Sequence, residues 1–525
     1  MPTRIPCDFV PTDGPAPGRS RRLTGFDPLA LGGEGAADSA GERPVPARDL
    51  LTEAFGPAAP VLLAGYAARA PRPAPALAPT LAVVAGEARD EGRDEGRDEA
   101  DSFARGLARA AAGDHQGAVG EFSAALARDP RNGRINLERA YSYRGLGYTY
   151  LAIDDFERAG ALGAGWAAAH NGMGMVRREK GDLTGALADF DTAIRYDSGF
   201  AAAWSNRGLC HLDRYDDHKA VADFSRALEL GGEQVVTLFH RAAAYARLRR
   251  HAEAESDLGR AAELAPNEPA ILNRRGIARE AQGKLTEALE DFDRTIAADA
   301  TFAPAYGNRA RLLQRLEDYR GAIDDFTREL AFDPNSWQAH ARRGQCYSKL
   351  GQQRYAVLDF NAALTRGQGR ASLYLDRARC YGEIRNYARA VADCDEALRL
   401  APHCARILAE RARWRERLRD CGGALEDLTR AIELDPASGR YVQLRARFLL
   451  RQGSFEGALK DFEQDVVLNP TEPWAYMGRG DCRARMGFGM AAADDYRRAA
   501  ELFADLGQAE DRGKALLRMQ QALVA

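Results

Sequence analysis

The sequence predicts an all-α protein: an α-solenoid of twelve 34-residue helix–turn–helix repeats, preceded by a mostly disordered segment and closed by a C-terminal capping helix. Three observations carry that expectation. An alanine followed four residues later by a large apolar side chain returns every 34 residues without an insertion. The first half of each block holds Gly or Ala at one fixed place, and half of the blocks close on proline. Recurrence at such a step marks stacked supersecondary units rather than one globule.

Residues 1–98 come first and hold 14 of the 23 prolines, with many Gly and Ala and little hydrophobic periodicity. Such a stretch cannot bury enough surface to offset the entropy of ordering it, so disorder is expected. Arg48–Phe55 (RDLLTEAF) is a short amphipathic piece, read either as a docking motif or as a transient linker helix. From Glu87 to Asp101 eight acids stand against three arginines, an acidic lead-in that could also fold back onto a basic surface.

Residues 99–506 then divide into twelve units, 99–132 through 473–506. The recurring alanines are Ala118, Ala152, Ala186, Ala220, Ala254, Ala288, Ala322, Ala356, Ala390, Ala424, Ala458 and Ala492. Phe follows in most units, with Leu258, Cys394, Leu428 and Tyr496 as the departures. In the fourth unit, Ala201–Arg214 and His218–Leu230 are helix-length and separated by a turn at Tyr215–Asp217. The small residue (Gly106, Ala140, Gly174 and their equivalents) lets a neighbouring helix approach, with the recurring alanine as its expected partner and the ring beside it. No single unit can bury its apolar face, so stacking is obligatory. Residues 507–525 place Leu516, Met519 and Leu523 on one helical face, as a cap over the last unit would.

The pattern resembles the tetratricopeptide repeat family, with its 34-residue helical pair and A-x3-F…P signature, over about four fifths of the chain. The resemblance implies a right-handed superhelix whose first helices line a concave groove that holds a partner segment. It also has departures. Ten units carry Arg immediately before the small residue (Arg105, Arg207, Arg241 and onward to Arg479), where the family often has Leu. Eleven units place Asp just before the aromatic, so a repeated Arg–Asp pair between the two helices of a unit is expected.

The search for chemistry returns little. The 73 basic and 76 acidic residues leave a net charge of −3, against a general nucleic-acid binder. Eight cysteines with no CxxC argue against a disulfide scaffold or zinc ribbon and fit a reducing compartment. Cys210, Cys346, Cys380 and Cys482 share one place in their units and read as small core residues. The eight histidines form no metal array, and Gly283-Lys284 is an inter-helix turn rather than a phosphate loop. No catalytic, metal or cofactor site is expected, so the chain reads as a non-enzyme. The apolar stretches near 61–70 and 76–85 are too short to span a bilayer, and the first twenty residues lack a secretory core. A cytoplasmic location follows, a bacterial cytoplasm or a eukaryotic assembly such as a cilium fitting equally.

The candidate site is the groove. The residues one and five places after the small residue share a helix face. They are largely apolar in the first six units, whereas nine of the last twelve are basic: Arg311, Arg315, Lys349, Arg379, Arg413, Arg417, Arg447, Arg451 and Arg485. One reading is a two-toned groove for a protein or peptide ligand, an acidic one included. The other is a solvated surface neutralised by acids on adjacent helices. Asn206 and Asn308 join the candidates, with Asn171 and Asn273 nearby in the repeat frame. A heat-shock co-chaperone is disfavoured, because its carboxylate clamp needs Lys where Phe103, Leu137, Ser205 and Phe239 stand. An RNA-binding helical repeat rests on the arginine row alone.

Overall fold

The computed structural model describes residues 93–367 and 369–524. Among them are twenty-five α-helices and no strand. The Arg48–Phe55 motif and most of the Pro-rich segment lie outside the described residues, as do the first residues of the acidic lead-in. The first helix runs Arg93–Ala111, starting six residues ahead of the expected boundary and passing through Gly96.

Two helices build each unit because the chain between them is made to turn. In the fourth unit they are Ala201–Asp213 and Asp217–Gly231, within a residue or so of expectation. One residue in every unit's turn takes a left-handed backbone, φ between 61° and 83°. Gly fills it in seven units, from Gly113 to Gly487, whereas Tyr215, Arg249, Glu317, Arg385 and Arg419 adopt it with a Cβ. The next residue caps the second helix. Asp114, Asp182, Asp318 and Asp420 each accept the backbone N–H of a glycine three places on.

The core follows from the small residue of the first helix. A Cβ added at Gly106, Gly174, Gly208, Gly276 or Gly480 would lie 2.5–2.8 Å from the ring of Phe122, Phe190, Phe224, Phe292 or Tyr496. The ring itself therefore meets the glycine, where the recurring alanine had been expected to. The alanines are wholly buried beside it in all twelve units. Rings also reach forward: a Cβ at Gly172 would sit 2.3 Å from Phe156 of the preceding unit, and one at Gly478 would sit 2.2 Å from Phe462. One side chain thus packs within its unit and against the next, which is why the units need one another.

Helices contact their neighbours in chain order. In addition, the first helices of most successive units touch one another, as Pro269–Ala281, Ala303–Arg315 and Trp337–Lys349 do. The second helices make no comparable mutual contact, so the first helices lie on the inner side of the stack.

The C-terminal helix, Ala509–Val524, covers the last unit with a different face from the one expected. Ala515 and Ala522 are buried and Met519 packs partly beside them, while Leu516, Leu517, Leu523 and Val524 stay exposed. The two helices meet closely there: a Cβ at Gly489 would sit 2.4 Å from the carbonyl oxygen of Ala522, so the glycine is what permits the approach.

Candidate functional site

The expected Arg–Asp pair is present as a bidentate fork in ten units. Arg309, for example, donates from Nε and Nη2 to Asp325, both at 2.7 Å. The aspartates are 1–8 % exposed and the forked arginines 12–21 %. Arg139, not among the ten arginines expected from the pattern, forks Asp155 as well. Arg105, more exposed, meets Glu121 and the Ser102 hydroxyl, and in the third unit Asp189 is held by Arg177 and His170 instead.

The fork has a second function that its spacing did not reveal. In eight units the remaining Nη1 donates to the residue sixteen places earlier, on the second helix of the preceding unit. Arg309 thus bonds Asp293 at 2.6 Å while forking Asp325. One guanidinium ties three helices, so these arginines stitch the stack and are spent structurally.

The inner face carries the candidate binding residues, and its basic row is laced rather than bare. Arg311 and Arg315 both approach Glu280 of the preceding unit, at 3.7 and 2.7 Å. Arg379 donates twice to Glu410 of the following unit, at 2.8 and 3.0 Å. Arg413 lies 3.7 Å from Glu383 and 4.5 Å over the Trp414 ring, and Arg451 forks Glu416 at 2.8 and 2.9 Å. Lys349, Arg417 and Arg485 sit exposed at the ends of their helices, Arg485 above the Phe455 ring. Arg447 is half-buried, within electrostatic reach of Asp465. The N-terminal half is laced in the same way, through Arg144–Glu179 and Arg178–Asp213. Cross-unit ion pairs thus answer Arg311, Arg315, Arg379, Arg413 and Arg451 and occur in both halves of the face, while Lys349, Arg417 and Arg485 stay exposed. The partners stand at the outer position of the pair itself (Glu179, Asp213 and Glu383), one residue before it (Glu280 and Glu416), or two before the small residue (Glu410), and the i, i+4 pattern samples only the first of these places.

Asn206 donates to Asn171 at 2.9 Å and Asn308 to Asn273 at 2.9 Å, each bond joining consecutive first helices. Asn206 and Asn308 belong to a row two places before the small residue: Asn206, His240, Arg274, Asn308, Arg342, Asp376, Glu410. Sequence reasoning passed over its charged members, although the 34-step frame contains them. Burial, together with Arg178 and Arg274, pushes the His240 imidazole down to about 3. Burial alone brings Arg274 down to about 10. Glu329, on a second helix, fills the space that a Cβ at Gly307 would take, 2.8 Å away, and burial raises its carboxyl to about 7.

The described residues contain no group of three or more His, Cys, Asp or Glu side chains placed to hold a metal ion, and no helix long and apolar enough to cross a membrane. The Cys346 and Cys380 thiols are pushed up to about 11 by burial, and Cys210 and Cys482 to about 12, as packed small side chains would be.

With the paired helices and their laced inner face established, comparison with known proteins gives the family. A tetratricopeptide repeat model matches residues 171–234, 239–301 and 409–475, and a second model of that repeat matches 371–404. Within these segments the chain carries tetratricopeptide repeats. No curated protein matches it. Similar solved structures include a tetratricopeptide repeat protein from Parabacteroides merdae, with 21 % identity over 44 % of this chain and 92 % of that one, TM-score 0.37. The C-terminal part of a repeat protein from Cytophaga hutchinsonii has 18 % identity over 46 % and 98 %, TM-score 0.41. Yeast Tom70 has 15 % identity over 82 % and 96 %, TM-score 0.36.

Proposed function

We propose that this tetratricopeptide repeat protein is a non-enzymatic scaffold that holds a segment of a partner protein along the inner face of its first helices. Repeats of this family generally mediate protein–protein interaction. The observation that carries the reading is the inner face itself. Successive first helices touch, so side chains from many units join into one continuous surface, while second helices face outward singly. RNA is the weaker reading. The arginine row that favoured it is tied to Glu280, Glu383, Glu410 and Glu416, which stand where phosphates would have to bind.

A photo-crosslinking amino acid at Ile277 on the inner face, compared with one at exposed Tyr355 on a second helix, tests the proposal in cells. A discrete protein adduct from position 277 and none from 355 is the expected result. Equal labelling from both positions would sink it.

A further inference from the structure

Five of the linkers that join one unit to the next carry an acid at the same place, directly after the second helix: Asp129, Asp197, Asp299, Asp333 and Asp435. The first four accept the backbone N–H two residues on, which shapes the turn. The linker between units eight and nine departs from this pattern. Gly367 replaces the acid, and Arg366 ahead of it stands where Leu264, Leu400 and Leu434 stand in other units. Arg370 takes the place of Phe200 and Phe302, and Trp337 opens unit eight where alanine opens units four, seven, nine and ten. What breaks the period is not required by stacking, and these departures are not scattered: Trp337, Arg366, Gly367 and Arg370 line one cavity of about 470 Å³.

The wall is built in a definite order. Gly367 is buried, and a Cβ on it would lie 2.6 Å from the Trp337 ring, so only a bare backbone leaves room for the indole. The indole in turn carries the Arg370 guanidinium, 4.5 Å over its centre. Arg366 is exposed and reaches only neutral acceptors, Asn335 Oδ1 at 3.4 Å and the Ala362 carbonyl at 3.3 Å. Arg370 is also the N-cap of Ala371–Glu383 and makes no side-chain cap bond, so the positive end of that helix adds to the two guanidiniums.

The lining therefore offers two guanidiniums, one indole and no acid. Two positive groups on one cavity are matched by a dianion, since a single carboxylate would answer only one of them, and guanidinium forks fit phosphate oxygens. The volume lies within the range of organic-ligand pockets, about 300–1,000 Å³, so the phosphate comes attached to a larger body. An indole on the wall favours an aromatic one.

We propose that the linker between units eight and nine is a binding site for an aromatic phosphate monoester, its phosphate held by Arg366 and Arg370 and its ring beside Trp337. A nucleoside monophosphate and a phosphotyrosine side chain share this chemistry. The site uses none of the candidate residues of the inner face and does not depend on the groove reading.

Isothermal titration calorimetry of the full chain tests this with phenyl phosphate, adenosine 5′-monophosphate, N-acetyl phosphotyrosine amide and inorganic phosphate. Phenyl phosphate should bind at a single site, about tenfold more tightly than inorganic phosphate, and phenol should give no heat. Arg366→Gln, at an exposed position that leaves folding intact, should weaken phenyl phosphate about tenfold. Arg497→Gln, the same change at an arginine 64 % exposed in another unit, should leave the affinity unaltered. Trp337→Ala should bring phenyl phosphate down to the affinity of inorganic phosphate; if that variant melts early, Arg366→Gln decides alone. Tighter binding of the nucleotide than of the phosphotyrosine amide assigns the site to a free metabolite, the reverse order to a phosphorylated partner, and either supports it. No heat from any aromatic phosphate at about 10 mM, equal affinity for phenyl and inorganic phosphate, or Arg366→Gln binding within about twofold of wild type would overturn the site.

Discussion

The flank and the inner face of this protein use arginine in opposite ways. On the flank one arrangement repeats ten times: Arg309 forks Asp325 as Arg207 forks Asp223, with the same atoms and nearly the same distances. On the inner face the pairings differ from unit to unit, with a few recurring, such as Arg315–Glu280 and Arg451–Glu416. Arg315 reaches back to Glu280, Arg379 reaches forward to Glu410, and Arg274 has an aromatic ring in place of an acid. Uniformity belongs to the side chains that hold units together, because each unit must present the same surface to the next. Variety belongs to the inner face, where the proposed partner would be read.

The sharpest way to break the comparison is at a fork. Asp325→Ala removes the buried carboxylate of the fork and leaves Arg309, 21 % exposed, with only the exposed Asp293 as counter-ion; it should cost about 3 kcal/mol, seen as a lower denaturant midpoint and lost hydrogen-exchange protection in units six to eight. Replacing Arg309 and Asp325 together by Leu should cost far less, because no charge is left unpaired. A double variant as damaged as the single one would show that the fork contributes stability beyond avoiding that stranded charge.

Next comes the ring contact. Gly276→Ala places a Cβ 2.7 Å from Phe292 and should destabilise by about 1–3 kcal/mol, whereas Ile277→Ala beside it on the inner face should be nearly silent. Thermal melts of the two variants check this.

Glu329 couples the inner face to pH. Burial raises its carboxyl to about 7, opposing the attraction of Arg311 and Arg342 and reinforced by Asp333. A carboxyl with a raised native pKa favours folding while protonated, so its contribution is intact below the ordinary carboxylate range and is lost as pH climbs towards 7. Glu329→Gln should therefore stabilise the protein at pH 8 and change little at pH 4, in melts run at both values.

The smallest effects are expected where the chain bends and where charges are exposed. Arg385→Gly relieves a left-handed residue at φ 62° and should add about 0.5–1 kcal/mol to stability. Glu416→Gln, breaking a pair whose arginine is 55 % exposed, should alter the melting temperature by no more than about 0.5 kcal/mol would.

By itself the sequence determined what repeats. The wholly buried alanines, the turn after the first helix and the Arg–Asp forks could be placed from spacing, because a contact made alike in successive units leaves a period of 34 in the chain, whereas the contact of ring on glycine was not so placed. The eleventh arginine, Arg139, belonged to that period and is legible once the fork is recognised. What happens once leaves no period. Leu516 and Leu523 are apolar and one turn apart from Met519, yet Ala515 and Ala522 are buried instead, on a helix whose backbone at Ala522 comes close to Gly489. Likewise the arginines of the inner row read alike as letters, while their surroundings come from different units. Tertiary structure alone decided which of them met an acid on a neighbouring helix and which, like Arg274, were left without one, since charge compensation depends on distance in space rather than position along the chain.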